Sequence, residues 1–315
     1  MPQSSAPKNA SRNSLPAGVW GVVATPFQGS TLDVDLDSLA ELVEHYQAIG
    51  ATGLTVLGVF GEAAALTPQE RRDVLETVVE STALPLVVGA TALATRPAIE
   101  EVMAAQAVAG PRLAAVMVQA NSARAEAVIA HLDAIHRATG AKVVLQDYPL
   151  ASGVSISTAA LASVVNACAY VIAVKAEAPP TSVAIAELSA AVGVSIFGGL
   201  GGLGLLDELM AGASGAMTGF SYPEALIACV RAWQDSGYEA AERELQPYLP
   251  LINFEQQAKV ALAIRKECLR ERGLIKDSGV RAPAALFPEA LRGSMAVHLK
   301  EAASALDARA TAGSF

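Results

Sequence analysis

One lysine ends an apolar run. Tyr170-Val171-Ile172-Ala173-Val174-Lys175 reads as a buried strand that stops on an amine, and Pro179 and Pro180 follow to close it. Burial disfavours the charged form of such a side chain, so the pattern predicts a depressed lysine pKa and some free amine near neutral pH. A free amine attacks ketones, which is the chemistry of Schiff-base lysines. The competing reading is a lysine that snorkels, with its stem in apolar surroundings and its head in solvent. Two nearby groups could move protons. Glu177 stands two residues past Lys175, and Tyr148 two residues past Gln146, so a strand that persisted would point each pair the same way. A carboxylate beside the lysine can act as acid or base, although its charge opposes the free amine. The alternatives are a rim tyrosine packed on a neighbouring loop, and a glutamate that has left the strand ahead of Pro179.

Other apolar runs end in glycine turns. Gly58-Val59-Phe60-Gly61-Glu62 offers open backbone amides suited to a carboxylate. Phe60 would form a stacking wall there, or fill core. Glu62 would cap amides or pair across a subunit contact. Gly199-Leu200-Gly201-Gly202-Leu203-Gly204 matches G-x-G-x-x-G, but in the seventh strand–helix unit, where a dinucleotide fingerprint would occupy the first. Carboxylate binding ranks first for these glycines, phosphate second and a nicotinamide cofactor far third.

These turns need a scaffold that gathers strand ends. Short apolar runs of the doubly buried parallel kind recur eight times, at 19–25, 53–57, 86–90, 114–118, 142–146, 171–175, 194–197 and 215–218. Amphipathic stretches separate them: Leu36, Leu39, Val43 and Tyr46 share a face, and Thr67-Pro68-Gln69-Glu70 is a capping box with proline at the first helical position. Gly50, Gly110, Gly140, Gly193 and Gly212 stand where helices should stop. The pattern predicts a (β/α)8 TIM barrel, an α/β fold, over residues 18–222, with its chemistry at the strand ends. A doubly wound sheet is the alternative. Residues 1–17 read as a loose tail, and 223–315 as a C-terminal helical region packed on the barrel.

Bulk properties narrow the partners. A net charge of −9 without a basic block argues against nucleic acid and anionic membranes. The polar start lacks the core of a secretory signal, and no apolar run reaches the ~20 residues of a membrane span. Cys168, Cys229 and Cys268 lie far apart without metal spacing and read as reduced thiols of a cytoplasmic protein. His45, His131, His136 and His298 all fall on expected helices, solvated and away from strand ends, so no metal site is expected.

Thr25-Pro26-Phe27 after the first strand, Gly58-x-x-Gly61-Glu62 after the second and Lys175 ending the sixth resemble the dihydrodipicolinate synthase / N-acetylneuraminate lyase family. The resemblance runs from about Gly18 to Arg272. It implies a barrel whose lysine forms a Schiff base with pyruvate or another 2-oxo acid, without metal or cofactor, in a homo-oligomer (tetramer or dimer). It also marks departures. The family turn commonly carries two hydroxyl residues where this chain has Val59 and Phe60; a branch acting on aromatic pyruvate adducts shares the phenylalanine. The strand-5 relay tyrosine aligns with Gln146, which cannot lose a proton at useful pH. The second relay tyrosine aligns near Asn121, and the synthase arginine falls at Ala151. Dihydrodipicolinate synthesis itself is therefore not expected.

Two functional readings follow. The first is a class I lyase in which Lys175 condenses with a 2-oxo acid for aldol cleavage, addition or dehydration. Lys175, Tyr148 and Glu177 are its catalytic candidates. Gly58, Val59, Phe60, Gly61, Gln146, Gly199 and Met217 are its substrate-binding candidates. The second is a catalytically reduced barrel that binds a small carboxylate as sensor or assembly partner.

Overall fold

The computed structural model describes residues 14–311. Eight parallel strands close into a barrel. They are β1 (Gly18–Val22), β2 (Gly53–Val56), β3 (Leu86–Ala90), β4 (Leu113–Gln119), β5 (Val143–Asp147), β6 (Val171–Ala176), β7 (Ser195–Gly198) and β8 (Gly215–Thr218), and each pairs with the next until β8 returns to β1. This is the (β/α)8 barrel the sequence predicted. Between the strands run α1 (Leu36–Ala48), α2 (Pro68–Ser81), α3 (Thr95–Ala109), α4 (Ala125–Thr139), α5 (Thr158–Ala167), α6 (Thr181–Ala191) and α7 (Leu205–Met210). The expected capping box opens α2: Thr67 Oγ1 accepts from the Glu70 amide, and Glu70 accepts from the Thr67 amide. Gly140 closes α4 in the left-handed conformation, whereas α6 stops at Ala191 without help from Gly193.

Strand alternation sorts side chains into two layers. Leu54, Val56, Val116, Val118, Leu145 and Val174 point out to the helices, while Trp20, Val87, Met117, Val144, Phe197 and Met217 fill the lumen. Both faces are apolar, which is why the runs read as continuous and not alternating. A β-carbon at residue 53 would lie 2.4 Å from the Trp20 ring, so Gly53 makes room for the largest side chain of the plug. The floor is closed from below: Leu15 packs into the lumen cluster, Ser14 Oγ lies 2.8 Å from Ser195 Oγ, and Trp20 Nε1 donates to Pro16 O. The described part of the expected tail, 14–17, is thus seated in the barrel; 1–13 lie outside the described residues.

The first two strands end earlier than expected. β1 stops at Val22, and Leu57 takes φ 57°, turning the chain after Val56. Beyond β8 come α8 (Pro223–Ser236), α9 (Tyr238–Leu245), α10 (Leu249–Glu255), α11 (Ala261–Glu271) and α12 (Arg292–Thr311). Leu245, Tyr248, Ile252 and Met295 from this region join one core cluster with Leu39, Leu42 and Val56 of the barrel layer.

Candidate active site

Lys175 follows Ala173, a lumen residue, by one strand period, so it enters the lumen above the plug. The same period places Gln119 above Met117 and Gln146 above Val144. Register aligns Gln119 with Gln146 and Gln146 with Lys175. All three are buried. Just past β6, the Glu177 amide donates to Asp147 O at 2.9 Å, which swings the carboxylate back over the strand ends. Glu177 Oε2 accepts from Gln146 Nε2 at 2.7 Å and lies 3.2 Å from Lys175 Nζ. The predicted trio of Lys175, Glu177 and Gln146 is therefore brought together, on one carboxylate oxygen. Asp147 points away from the lumen; burial first, then the Glu177 charge, raise its carboxyl to about 6.

The turn after β2 is held from three sides. Thr25 Oγ1 donates to Gly61 O at 2.7 Å. The Phe60 ring lies on Gly219, where a β-carbon would come within 2.5 Å of it. Glu62, with φ 53°, accepts from Lys266 Nζ at 2.8 Å and from the Arg281 amide at 2.9 Å. Glu62 thus ties the turn to the C-terminal region of its own chain, and it does accept the backbone amide expected of it. Among the described residues, the amides of Gly58, Val59, Phe60 and Gly61 donate to no protein acceptor, so they remain open to a ligand. Val59 is partly exposed at the rim.

The glycine-rich loop after β7 is explained by neighbours, not by a nucleotide. A β-carbon at 199 would lie 2.2 Å from Glu177 Oε1, one at 201 would lie 1.8 Å from Gln256 Nε2, and one at 204 would lie 3.1 Å from Glu208 Oε1. Each glycine of the G-x-G-x-x-G run that the site needs admits a polar side chain from elsewhere. Glu208 is buried beside Gly198 and accepts from Thr181 Oγ1 at 2.7 Å, with Oε2 unpartnered among the described residues. Burial raises its carboxyl to about 7, Thr181 opposing and the Glu177 charge adding.

Three residues that sequence reasoning passed over, Arg265, Glu255 and Gln256, come from the C-terminal helical region. Arg265, on α11, stacks over the Phe60 ring at 5.5 Å and places Nε 3.6 Å from Glu255 Oε2. Burial pulls its guanidinium below the ordinary value, while the charges of Glu255, Tyr148 and Glu177 act in the opposite sense. Glu255 is fully buried and takes both the amide and the hydroxyl of Ser221; burial raises it to about 7 against Arg265 and those hydrogen bonds. Gln256 follows it. The signal for Arg265 and Gln256 was Gly201, where a β-carbon would meet both, although its left-handed φ of 68° already favours glycine.

Tyr148 does not extend the strand as one reading required. β5 ends at Asp147, and Tyr148 heads a helical turn at Pro149–Ser152, half-buried. Burial raises its hydroxyl's pKa, with the Glu177 charge adding and Arg265 opposing. Met217 is fully buried in the plug beneath the site. Asn121 donates to Leu93 O at 2.9 Å, bracing a loop. The histidines are more engaged than expected: His131 is buried 2.8 Å from Thr95 Oγ1, His136 stacks on Tyr170, and His45 pairs with Glu224. No group of three or more His, Cys, Asp or Glu among the described residues is placed to hold a metal. No helix among them is long and apolar enough to cross a membrane.

Comparison with known proteins bears on the lysine-ended barrel. The Dihydrodipicolinate synthetase family matches residues 15–302. The chain belongs to that family. Its sequence is 31% identical over 279 residues to L-2-keto-3-deoxyarabonate dehydratase of Azospirillum brasilense, covering 84% of this chain and 88% of that protein. Over a shorter stretch of 92 residues it is 41% identical to trans-O-hydroxybenzylidenepyruvate hydratase-aldolase of Pseudomonas putida, covering 27% of this chain and 28% of that one. The crystal structure of dihydrodipicolinate synthase from Rhodopseudomonas palustris superposes with a TM-score of 0.84 at 28% identity, covering 91% of this chain and 99% of that one. These relatives are by name a dehydratase, a hydratase-aldolase and a synthase, and the chain is an enzyme of this broad kind.

Proposed function

We propose that this family member is a class I lyase that acts on a 2-oxo acid through a Schiff base on Lys175. The observation that carries the reading is the placement of Lys175 Nζ in the lumen, 3.2 Å from a carboxylate oxygen that Gln146 also holds. In this reading the open amides of 58–61 take the substrate carboxylate. Lys175 surrenders a proton to Glu177, its amine adds to the ketone carbon, and water leaves to give a protonated imine. Glu177 then removes a proton from the carbon next to the imine, giving an enamine. A hydroxyl one carbon further is expelled with a proton as water, which is dehydration. Alternatively, starting from the protonated imine itself, Glu177 takes that hydroxyl's proton, and the carbon–carbon bond breaks to release an aldehyde or ketone and leave the enamine. Glu177 then returns the proton to the enamine carbon, which is aldol cleavage. Water returns to hydrolyse the imine and free the lysine.

Gln146 fixes Glu177 where the family tyrosine would have carried a proton, and Tyr148 stands at the mouth as a further donor. Val59, Phe60, Gly199 and Met217 shape the pocket. The named dehydratase and hydratase-aldolase relatives support carbon–oxygen chemistry on such an acid. We extend the reading to a homo-oligomer, tetramer or dimer, that works in the cytoplasm without metal or cofactor.

The absence of a hydroxyl at position 146 favours one rival, a barrel that only binds a carboxylate ligand. A panel of 2-oxo acids and their aldol adducts separates the two. Turnover of at least one by the native chain, and none by K175A, supports the lyase. Ligand binding that survives K175A with no substrate consumed supports the rival.

A further inference from the structure

Two nitrogen donors converge over the loop that also carries the partner of the lysine. A β-carbon at residue 201 would lie 1.8 Å from Gln256 Nε2 and 3.0 Å from Arg265 Nη2. Two residues earlier, Gly199 is covered by Glu177, which reaches Lys175. Among the described residues neither side chain has its full set of hydrogen-bond partners. Gln256 Nε2 and Arg265 Nε are buried without a hydrogen-bond partner among the described residues, and the guanidinium's one ion pair there is the 3.6 Å approach to Glu255. Leaving such groups dry costs free energy that a ligand can recover. The guanidinium's orientation is nonetheless fixed. Its side chain is only 11% exposed, and the Phe60 ring lies against it at 5.5 Å. Phe60 belongs to the turn whose amides are open to the first carboxylate. The loss of a hydroxyl at that place thus coincides with the gain of a seat for a cation.

The same site therefore has donors at two ends. A 2-oxo acid with its carboxylate on the 58–61 amides and its ketone at Lys175 would turn its remaining carbons toward the loop after β7. One guanidinium and one amide there, among Glu177, Glu208 and Glu255, suit a singly charged carboxylate better than a doubly charged phosphate, which the glutamates would repel.

We infer that Arg265 and Gln256 select 2-oxo acids bearing a second carboxylate at the end remote from the ketone. The inference rests on the Schiff-base reading above and adds the substrate's class to it. Arg265 is the principal specificity-determining residue, because its charge-assisted contact is the stronger of the two.

The test is a titration of borohydride-trapped adduct on the full chain, read by intact mass. The ketones are pyruvate and chain-length pairs: 2-oxoglutarate against 2-oxopentanoate, and 2-oxoadipate against 2-oxohexanoate. The native chain should be half-trapped at about 10- to 100-fold lower concentration by a dicarboxylate than by its equal-length partner. R265Q should erase that preference and R265K should keep part of it. Pyruvate should trap within about twofold in all three, because it is too short to reach Arg265. Equal trapping of each pair by the native chain overturns the inference while leaving the Schiff base standing. So does an R265Q variant that loses pyruvate trapping as far as dicarboxylate trapping, since that marks a structural role. If the native chain traps no ketone at all, the Schiff-base reading falls and takes this inference with it.

Discussion

Gly199→Ala is the sharpest probe of how the lysine's partner is held. A methyl there would sit 2.2 Å from Glu177 Oε1 and 2.5 Å from its Cγ, against an ordinary contact near 3.4 Å. Glu177 cannot absorb this freely. Its amide is bound to Asp147 O, and its carboxylate is shared by Gln146 and Lys175. The carboxylate must therefore retreat by about 1 Å, and a misplacement of that size costs a proton-transfer step on the order of 100-fold. Overpacking should also lower stability by about 1–3 kcal/mol. The assay is the rate at which the pyruvate methyl group exchanges its protons in heavy water, followed by NMR, since exchange requires the enamine. The decisive comparison is a double-mutant cycle with E177A, which removes the clash. In the E177A background, Gly199→Ala should slow exchange by no more than about threefold, because the group it displaces is already gone. An undiminished 100-fold effect in that background would refute the reasoning.

Two further outcomes follow from buried charges. Burial lifts Glu208 to about 7 from its ordinary 4.5, so the folded chain keeps a proton there that the unfolded chain has released. The stability this group contributes is complete below about 4.5 and fades as pH rises to 7. E208Q should flatten that slope in urea denaturation and exceed native stability at pH 8 by about 2–3 kcal/mol; an unchanged slope would contradict it. Asp147 and Glu255, raised to about 6 and about 7, leave some slope behind, while Glu224, lowered to about 2, acts in a separate window below 4.5. Lys266 is fully buried, pairs with Glu62 and lies 4.2 Å from the centre of the Phe27 ring. K266M should cost about 3–5 kcal/mol by leaving the Glu62 carboxylate without its cation, and adding E62Q should restore most of it. A double variant no more stable than K266M alone in thermal melts would show that the pair does not anchor the turn.

The barrel was legible because doubly buried parallel strands leave an apolar run that stops at a turn, and Lys175 stood out because it interrupts one. Glu177 and Gln146 were legible by the two-residue period, which survived past the end of β6. Tyr148 was not, because Pro149 starts a helical turn and breaks the period one residue too soon. Arg265 and Gln256 are 90 and 81 residues from Lys175 in sequence and arrive from helices whose placement no local pattern encodes. Their trace was Gly201, whose left-handed φ of 68° is a backbone use of glycine and which also leaves space for both side chains. The left-handed Leu57 and Glu62 likewise carry no sequence signature, since both residues ordinarily favour extended or helical backbone. His131 shows the converse error: position on a helix says nothing about which face is buried until the neighbouring helix is known.

The central claim is a covalent bond between one amine and a ketone. Incubate the full chain with pyruvate, reduce with borohydride, and map the modified peptide by mass. The account predicts a single reduced pyruvate on Lys175, absent from K175A. An unmodified native chain, or an adduct placed on another lysine such as Lys142 or Lys259, would contradict it.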